Sequence, residues 1–81
     1  MQTNKVNKTV KLKSQYSEWE GSVNAEQGLN VRSSTVKTNN ILYVIQLGTK
    51  VTVFEEDENW YHVHVKGKKD GWVSKEYITK T

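Results

Sequence analysis

Two histidines, a run of acids and several serines are the residues of this chain that could perform catalysis or bind a metal ion. His62 and His64 lie two apart, so on a strand they would share one face and could hold a metal if a third ligand lay nearby. No third ligand is obvious in the sequence. Glu56, Asp57 and Glu58 fall on a short charged connector, where solvation is a simpler role than acid–base chemistry. No serine stands in an order that would assemble a nucleophilic triad. We therefore expect no catalytic centre, no metal site and no cofactor.

Size and composition narrow the class of protein further. With 81 residues and no cysteine, the chain predicts a single domain that relies on packing, without disulfides or thiolate ligands. No run approaches the roughly 18 apolar residues of a membrane span, and the start MQTNKVNKTV lacks the apolar core of a signal peptide. The net charge of +3 is mild. Lysines without acids in residues 1–13 leave attraction to a polyanion open.

Apolar and polar residues alternate along most of the chain, a pattern typical of short strands joined by polar turns. We expect an all-β fold, a small SH3-like barrel of five or more short, mostly antiparallel strands, since closure protects strand edges from pairing with other molecules. The predicted core consists of Leu29, Val31, Val51, Val53, Val63, Val73 and Ile78.

The alternation is weakest at the start of the chain. We expect residues 1–21 to be an N-terminal arm or linker that could contain one extra strand at residues 9–13, and residues 22–81 to form the domain. Near the other end, the segment SKEY allows a single tight helical turn.

Four motifs together resemble the bacterial SH3 domain family. GLNVRS at 28–33 is similar to the family's opening strand, IQLGTKVTV at 45–53 to its hydrophobic–turn–Gly–V-x-V element, NWYHV at 59–63 to its W-Y-x-V motif, and GWVSKEYI at 71–78 to its closing G-W-V-x-x-x-Y segment. Each motif alone would be weak. Their order and spacing agree with the family over about residues 22–79.

The resemblance implies a non-catalytic targeting module. Members of this family are commonly attached to peptidoglycan hydrolases, including autolysins and phage endolysins, and hold the enzyme on the cell wall. The implied partner is peptidoglycan or its peptide part, and the implied location is extracellular, at the cell wall, as a monomeric module of a larger protein. Two other classes stay open: a protein- or peptide-binding adaptor of a secreted or envelope protein and, less favoured, a nucleic-acid binder, which a steep salt dependence would reveal.

Five side chains are the candidate ligand-binding residues, because each points away from the core that its neighbours define: Asn30, Arg32, Trp60, Trp72 and Tyr77. Large outward aromatics on a small domain indicate a site, and the alternative is that loops cover them as a second small core. Arg32 could clamp loop 33–40 through backbone carbonyls, pair with the acidic run 55–58 or bind a ligand carboxylate. We predict a shallow groove where the opening strand, the acidic connector and the closing turn meet.

A polyproline ligand is not expected. The closing segment also resembles that of eukaryotic SH3 domains, where a proline would stand near Ser74, but this chain contains no proline. The opening strand LNVRS lacks the paired tyrosines that build a groove for a polyproline helix.

Overall fold

Seven strands and one 3₁₀ turn make up residues 18–81, the part of the chain that the structure, a computed structural model, describes. The elements are β1 Trp19–Val23, β2 Leu29–Arg32, β3 Ile41–Ile45, β4 Lys50–Glu56, β5 Trp60–His64, β6 Gly71–Ser74, the 3₁₀ turn Lys75–Tyr77 and β7 Ile78–Lys80. The strands pair antiparallel in one sheet of order β3-β2-β6-β5-β4-β1-β7. The expected all-β, SH3-like barrel is confirmed, and so is the helical turn within SKEY.

Period-two alternation decides which side chains are buried. On β2 and β6 every second residue is buried and the residues between are half-buried. The buried hydrophobic residues are Val23, Ala25, Leu29, Val31, Ile45, Val51, Val53, Val63, Val65, Val73 and Ile78. All seven residues of the predicted core are in this set, because alternation on a pleated strand sends them to one face.

Strand β1 crosses the expected start of the domain at residue 22. It lies between β4, where Trp19 is opposite Val53, and β7. The Trp19 indole meets the Tyr61 ring edge-on, with centroids 5.0 Å apart. Residues 19–21, which the sequence assigns to the arm, therefore pair within the sheet. The extra strand considered at residues 9–13 lies outside the described residues.

Gly71 allows β6 to lie close against β2. A Cβ atom at this position would lie 2.5 Å from Cγ1 of Val31 and 2.8 Å from the carbonyl oxygen of Arg32. Glycine is the residue that permits such an approach. The approach places Arg32 directly opposite Trp72 in the register of the two strands, which positions the outer face described next.

Candidate ligand-binding site

The Arg32 side chain holds the loop between β2 and β3. Its Nη1 donates to the carbonyl oxygen of Thr38 at 3.3 Å and to Oδ1 of Asn40 at 3.1 Å. Nδ2 of Asn40 in turn donates to the Val36 carbonyl at 2.6 Å and to Oγ of Ser34 at 2.9 Å. Arg32 thus clamps the loop, one of its expected roles, but through one backbone carbonyl and one side-chain oxygen rather than through backbone carbonyls alone. Its hydrogen bonds within residues 18–81 do not reach the acidic run, and its contact with a ligand stays a prediction.

A row of stacked rings crosses the sheet beside Arg32. Trp72 on β6 lies opposite His62 on β5, and the His62 imidazole stacks on the Trp72 indole with centroids 4.2 Å apart and planes 11° apart. The Phe54 ring lies 4.5 Å from the same imidazole, and Nδ1 of His62 is 2.9 Å from Oε1 of Glu55. Trp72 is thus half-buried beside rings of the neighbouring strands, and its contact with a ligand stays a prediction.

The two histidines have different surroundings. The His62 side chain is 22% accessible, whereas the His64 side chain is 52% accessible and has its Nδ1 2.7 Å from Oδ1 of Asp70. Among residues 18–81, no group of three or more histidines, cysteines or acids could hold a metal ion. In that same range, no helix has the length and apolar character needed to cross a membrane.

Asp57 fixes the turn that leads into Trp60. Its Oδ1 accepts hydrogen bonds from the backbone N–H groups of Asn59 at 3.1 Å and of Trp60 at 3.0 Å. Its own N–H donates to the Trp60 carbonyl at 3.0 Å. The sequence predicts solvation alone for Asp57, whereas the carboxylate caps a turn. From the loop that Arg32 holds, Nζ of Lys37 lies 5.9 Å from the centroid of the Trp60 ring.

The closing segment is bonded to the same turn. The N–H of Lys75 donates to the Asn59 carbonyl at 3.1 Å. Nζ of Lys75 lies 3.5 Å from Oε2 of Glu56 and 5.3 Å from the centroid of the Tyr61 ring. The Lys75 side chain thus has both an anionic and an aromatic partner, and the 3₁₀ turn is fixed against the β4–β5 connection.

An open cavity of about 600 Å³ lies where the β2–β3 loop, the β4–β5 turn and the closing segment meet. It is lined by Lys37, Glu58, Asn59, Trp60, Ser74, Lys75 and Glu76. Both signs of charge are therefore present around one tryptophan. The carboxylates of Glu58 and Glu76 make no ion pair or hydrogen bond with any other residue within 18–81. Such a cavity can cover an apolar group with the indole and fix ionic groups at its rim.

The predicted site residues are partly brought together. Trp60 lines the cavity, and it lies opposite Ser74 on β6, two residues beyond Trp72. Arg32 is opposite Trp72, and Asn30 precedes Arg32 by two residues on the same half-buried face of β2. These four residues share the outer face of neighbouring strands.

Tyr77 lies elsewhere. It ends the 3₁₀ turn, 40% exposed, and its carbonyl accepts a hydrogen bond from the N–H of Asn24 at 2.9 Å. Tyr77 is not among the residues that line the Trp60 cavity. The structure therefore associates it with the β1–β2 connection rather than with the tryptophans.

Sequence reasoning missed most of the cavity lining. Lys37 comes from a polar loop more than twenty positions before Trp60, and no spacing links the two. One local signal was available: Asp57 stands two residues before Asn59, and aspartate commonly accepts a hydrogen bond from the backbone two residues ahead. That signal would have placed Glu58 on a fixed turn beside Trp60.

Tyr43 has a shifted pKa at another place on the sheet. Its hydroxyl donates to the Lys69 carbonyl, and Nζ of Lys68 lies 5.4 Å from its ring centroid. Burial raises the pKa of Tyr43, and the negative charge of Asp70 raises this pKa further. The neutral hydroxyl thus ties β3 to the β5–β6 turn and takes no part in the Trp60 cavity.

Comparison with known proteins adds two findings. Residues 27–79, more than half of the chain, match the family model described as Bacterial SH3 domain. Over 50 residues the chain is 42% identical to a protein of Bacillus subtilis (strain 168) named as an N-acetylmuramoyl-L-alanine amidase, YrvJ. That alignment covers 62% of this chain and 10% of the relative, so the chain spans a small part of the relative's length. No solved structure matches the chain significantly.

Proposed function

This chain belongs to the bacterial SH3 domain family, and from that premise we propose that it is a non-catalytic module that binds peptidoglycan and holds a larger protein at the cell wall. The family is one of binding domains. The location that follows is extracellular, at the wall, and the larger protein would carry the peptidoglycan hydrolase, such as an autolysin or endolysin.

The similarity to the amidase-named protein carries the proposal. The bond in that name joins an N-acetylmuramoyl group to L-alanine, which is the link between the sugar and peptide parts of peptidoglycan. The similarity is 42% identity over 50 residues of this chain. A binding domain in such a protein has an evident use, because tethering raises the effective concentration of an enzyme at an insoluble substrate.

The geometry around Trp60 supports the proposal independently of the relative. An aromatic ring beside an open cavity with charges of both signs suits wall material, which has apolar sugar and peptide surfaces and ionic peptide groups. We propose that Trp60 is the anchor, with Asn30, Arg32 and Trp72 on the adjoining face of the sheet and Tyr77 as a more distant contact. A site this open should bind weakly, at about micromolar affinity or about −8 kcal/mol.

Sedimentation with insoluble peptidoglycan tests the proposal. The chain is mixed with purified walls from several bacteria, and the bound fraction is measured against protein concentration. We expect binding, with Trp60→Ala weakening it by about 1–3 kcal/mol, since aromatic anchors dominate small interfaces. The matched control is Leu47→Ala, because Leu47 is 56% exposed in the β3–β4 turn and lies outside the cavity lining.

The outcomes separate the parts of the proposal. If the parent chain stays in solution with every wall preparation, peptidoglycan binding is wrong and an adaptor for a soluble partner becomes the better explanation. If Trp60→Ala and Arg32→Ala both fold and sediment like the parent, the binding face lies elsewhere on the domain. Release of soluble wall fragments by the chain alone, lost in a point variant, would overturn the non-catalytic part.

A further inference from the structure

We infer that the Trp60 cavity recognises a short peptide carrying both a free primary amine and a free carboxylate, with the amine taking the place that Lys37 now holds over the Trp60 ring. The inference deepens the proposed function and rests on it for the source of the peptide, since it names the chemical groups of peptidoglycan that the cavity would select. The chemistry assigned to the cavity is argued from contacts within this chain alone.

Lys37 shows what the indole accepts. Its Nζ lies 5.9 Å from the Trp60 ring centroid, within the range of a cation–π contact. Lys37 is an exposed residue of the β2–β3 loop and makes no hydrogen bond or ion pair with the other described residues. The Trp60 ring is therefore the main partner of the Lys37 ammonium group. An ammonium from a ligand can replace it at small cost.

Two carboxylates at the same cavity favour a cationic group from outside. Glu58 and Glu76 line the cavity with Trp60, and neither has an ionic partner within residues 18–81. Lys75, the other lysine of the lining, is already 3.5 Å from Glu56. Once a ligand amine pairs with Glu58 or Glu76 and covers Trp60, Lys37 is released from the ring. Lys37 can then meet a carboxylate of the same ligand.

The lining thus matches a zwitterion better than a ligand of one charge. A purely anionic ligand would face Glu58 and Glu76 without compensation, and a purely cationic ligand would face Lys37 and Lys75. Like charges close together are unfavourable. A peptide with one amine and one carboxylate avoids both conflicts, and the amide groups between them can bond the polar side chains of Asn59 and Ser74.

The test uses three forms of one peptide with the whole chain. The parent probe is N-acetyl-L-alanyl-γ-D-isoglutaminyl-L-lysine, whose only ionic groups are the lysine amine and the terminal carboxylate. The second form is acetylated on that amine, and the third is amidated at that carboxylate. Affinity is measured by titration calorimetry and by the shift of the Trp60 indole N–H resonance. We expect the parent probe to bind best and each blocked form to bind about two- to fivefold more weakly, as for an exposed ion pair.

Variants assign each ionic group of the peptide to its partner. Glu58→Gln and Glu76→Gln should each weaken the two forms with a free amine by about two- to fivefold. Each should strengthen binding of the acetylated form, because one carboxylate that repels its remaining negative charge is gone. Lys37→Met should act in opposite directions: the amidated form binds about two- to fivefold more tightly because its competitor for the ring is gone, while the acetylated form binds more weakly. The matched control is Glu26→Gln, an exposed carboxylate outside the cavity lining.

The inference and the proposed function can fail separately. If the chain sediments with peptidoglycan but blocking the amine does not change peptide affinity, or if no form binds, the inference is overturned and the proposed function stands. If the parent peptide binds with the expected pattern but the chain does not sediment with purified cell walls, the cavity is a zwitterion site and peptidoglycan targeting is wrong. Equal effects of Lys37→Met on the amidated and acetylated forms would overturn the exchange at the ring.

Discussion

The imidazole of His62 lies flat against the indole of Trp72, with ring centroids 4.2 Å apart and planes 11° apart. This contact joins β5 to β6 on the outside of the sheet, where His62 and Trp72 are directly opposite each other. Much of the Trp72 surface is therefore used within the domain. Trp60, two residues before His62 on the same strand, is the indole that lines an open cavity. The outer face thus divides into a structural stack and a ring available to a ligand.

Replacing His62 separates stacking from hydrogen bonding. His62→Ala should lower the free energy of unfolding by about 1–3 kcal/mol, because it removes an aromatic pair and a bond to Glu55. His62→Phe keeps the ring and should cost about 1 kcal/mol or less. Urea unfolding of both variants gives the comparison. Equal losses in the two variants would show that the stack contributes nothing beyond the Glu55 bond.

Arg32→Ala should loosen the β2–β3 loop more than it lowers global stability. The two bonds from Nη1 to Thr38 and Asn40 are partly exposed, so their loss should cost about 1 kcal/mol. Hydrogen exchange should accelerate at the N–H groups of Ser33 and Asn40, which bond within the loop. Arg32→Lys should rescue little, because an ammonium lacks the planar fork. Unchanged exchange in Arg32→Ala would mean that Asn40 alone organises the loop.

The close approach at Gly71 predicts a non-additive pair of substitutions. Gly71→Ala should destabilise by about 1–3 kcal/mol, because its Cβ would meet Val31 Cγ1 at 2.5 Å. Val31→Ala should also cost about 1–3 kcal/mol through a cavity, by extension from larger truncations. The double variant should lose about 0.5–2 kcal/mol less unfolding free energy than the two single losses added together, since the new methyl group at position 71 fills the space vacated at position 31. Simple additivity in denaturant unfolding would show that the clash with the Arg32 carbonyl dominates.

The sequence predicted the core and the strands well because both follow from period-two alternation, a local pattern. Val53 and Val63 could be assigned to the inside from their immediate neighbours. Strand β1 was not predicted, because Trp19 stands in a polar stretch and because the strand pairs with β4 and β7, which are far along the chain. Most of the cavity lining was not predicted for the same reason. The fold brings Lys37 close to Trp60, and no local rule links a loop lysine to a later tryptophan.

Stability should fall above pH about 10 through Tyr43. Burial and then Asp70 raise the pKa of Tyr43 in the folded chain, so the folded state holds the proton more strongly than the unfolded state. The resulting stabilisation is fully present below the unfolded pKa of about 10 and is lost as pH rises through the folded pKa. Urea midpoints of the parent and of Tyr43→Phe, compared at pH about 8 and about 11, check this. The parent should lose more stability than Tyr43→Phe, and parallel losses would assign the alkaline effect to other groups.

Asp57 should control ligand binding without touching the ligand. Its Oδ1 accepts from the N–H groups of Asn59 and Trp60, and it is not part of the cavity lining. Asp57→Ala should cost about 0.5–2 kcal/mol of stability, by analogy with a lost helix cap, and should loosen the orientation of Trp60. Asp57→Asn keeps an acceptor oxygen and should cost less.

The comparison of these two Asp57 variants distinguishes positioning from charge. If the carboxylate acts by holding the turn, Asp57→Ala speeds hydrogen exchange at the Asn59 and Trp60 N–H groups and weakens sedimentation with peptidoglycan, while Asp57→Asn does neither strongly. If its negative charge attracts the ligand, both variants weaken binding equally, and only Asp57→Ala alters exchange. Faster exchange in Asp57→Ala with undiminished binding would show that a ligand orders Trp60 itself, because the indole would then need no preformed turn to reach its bound position.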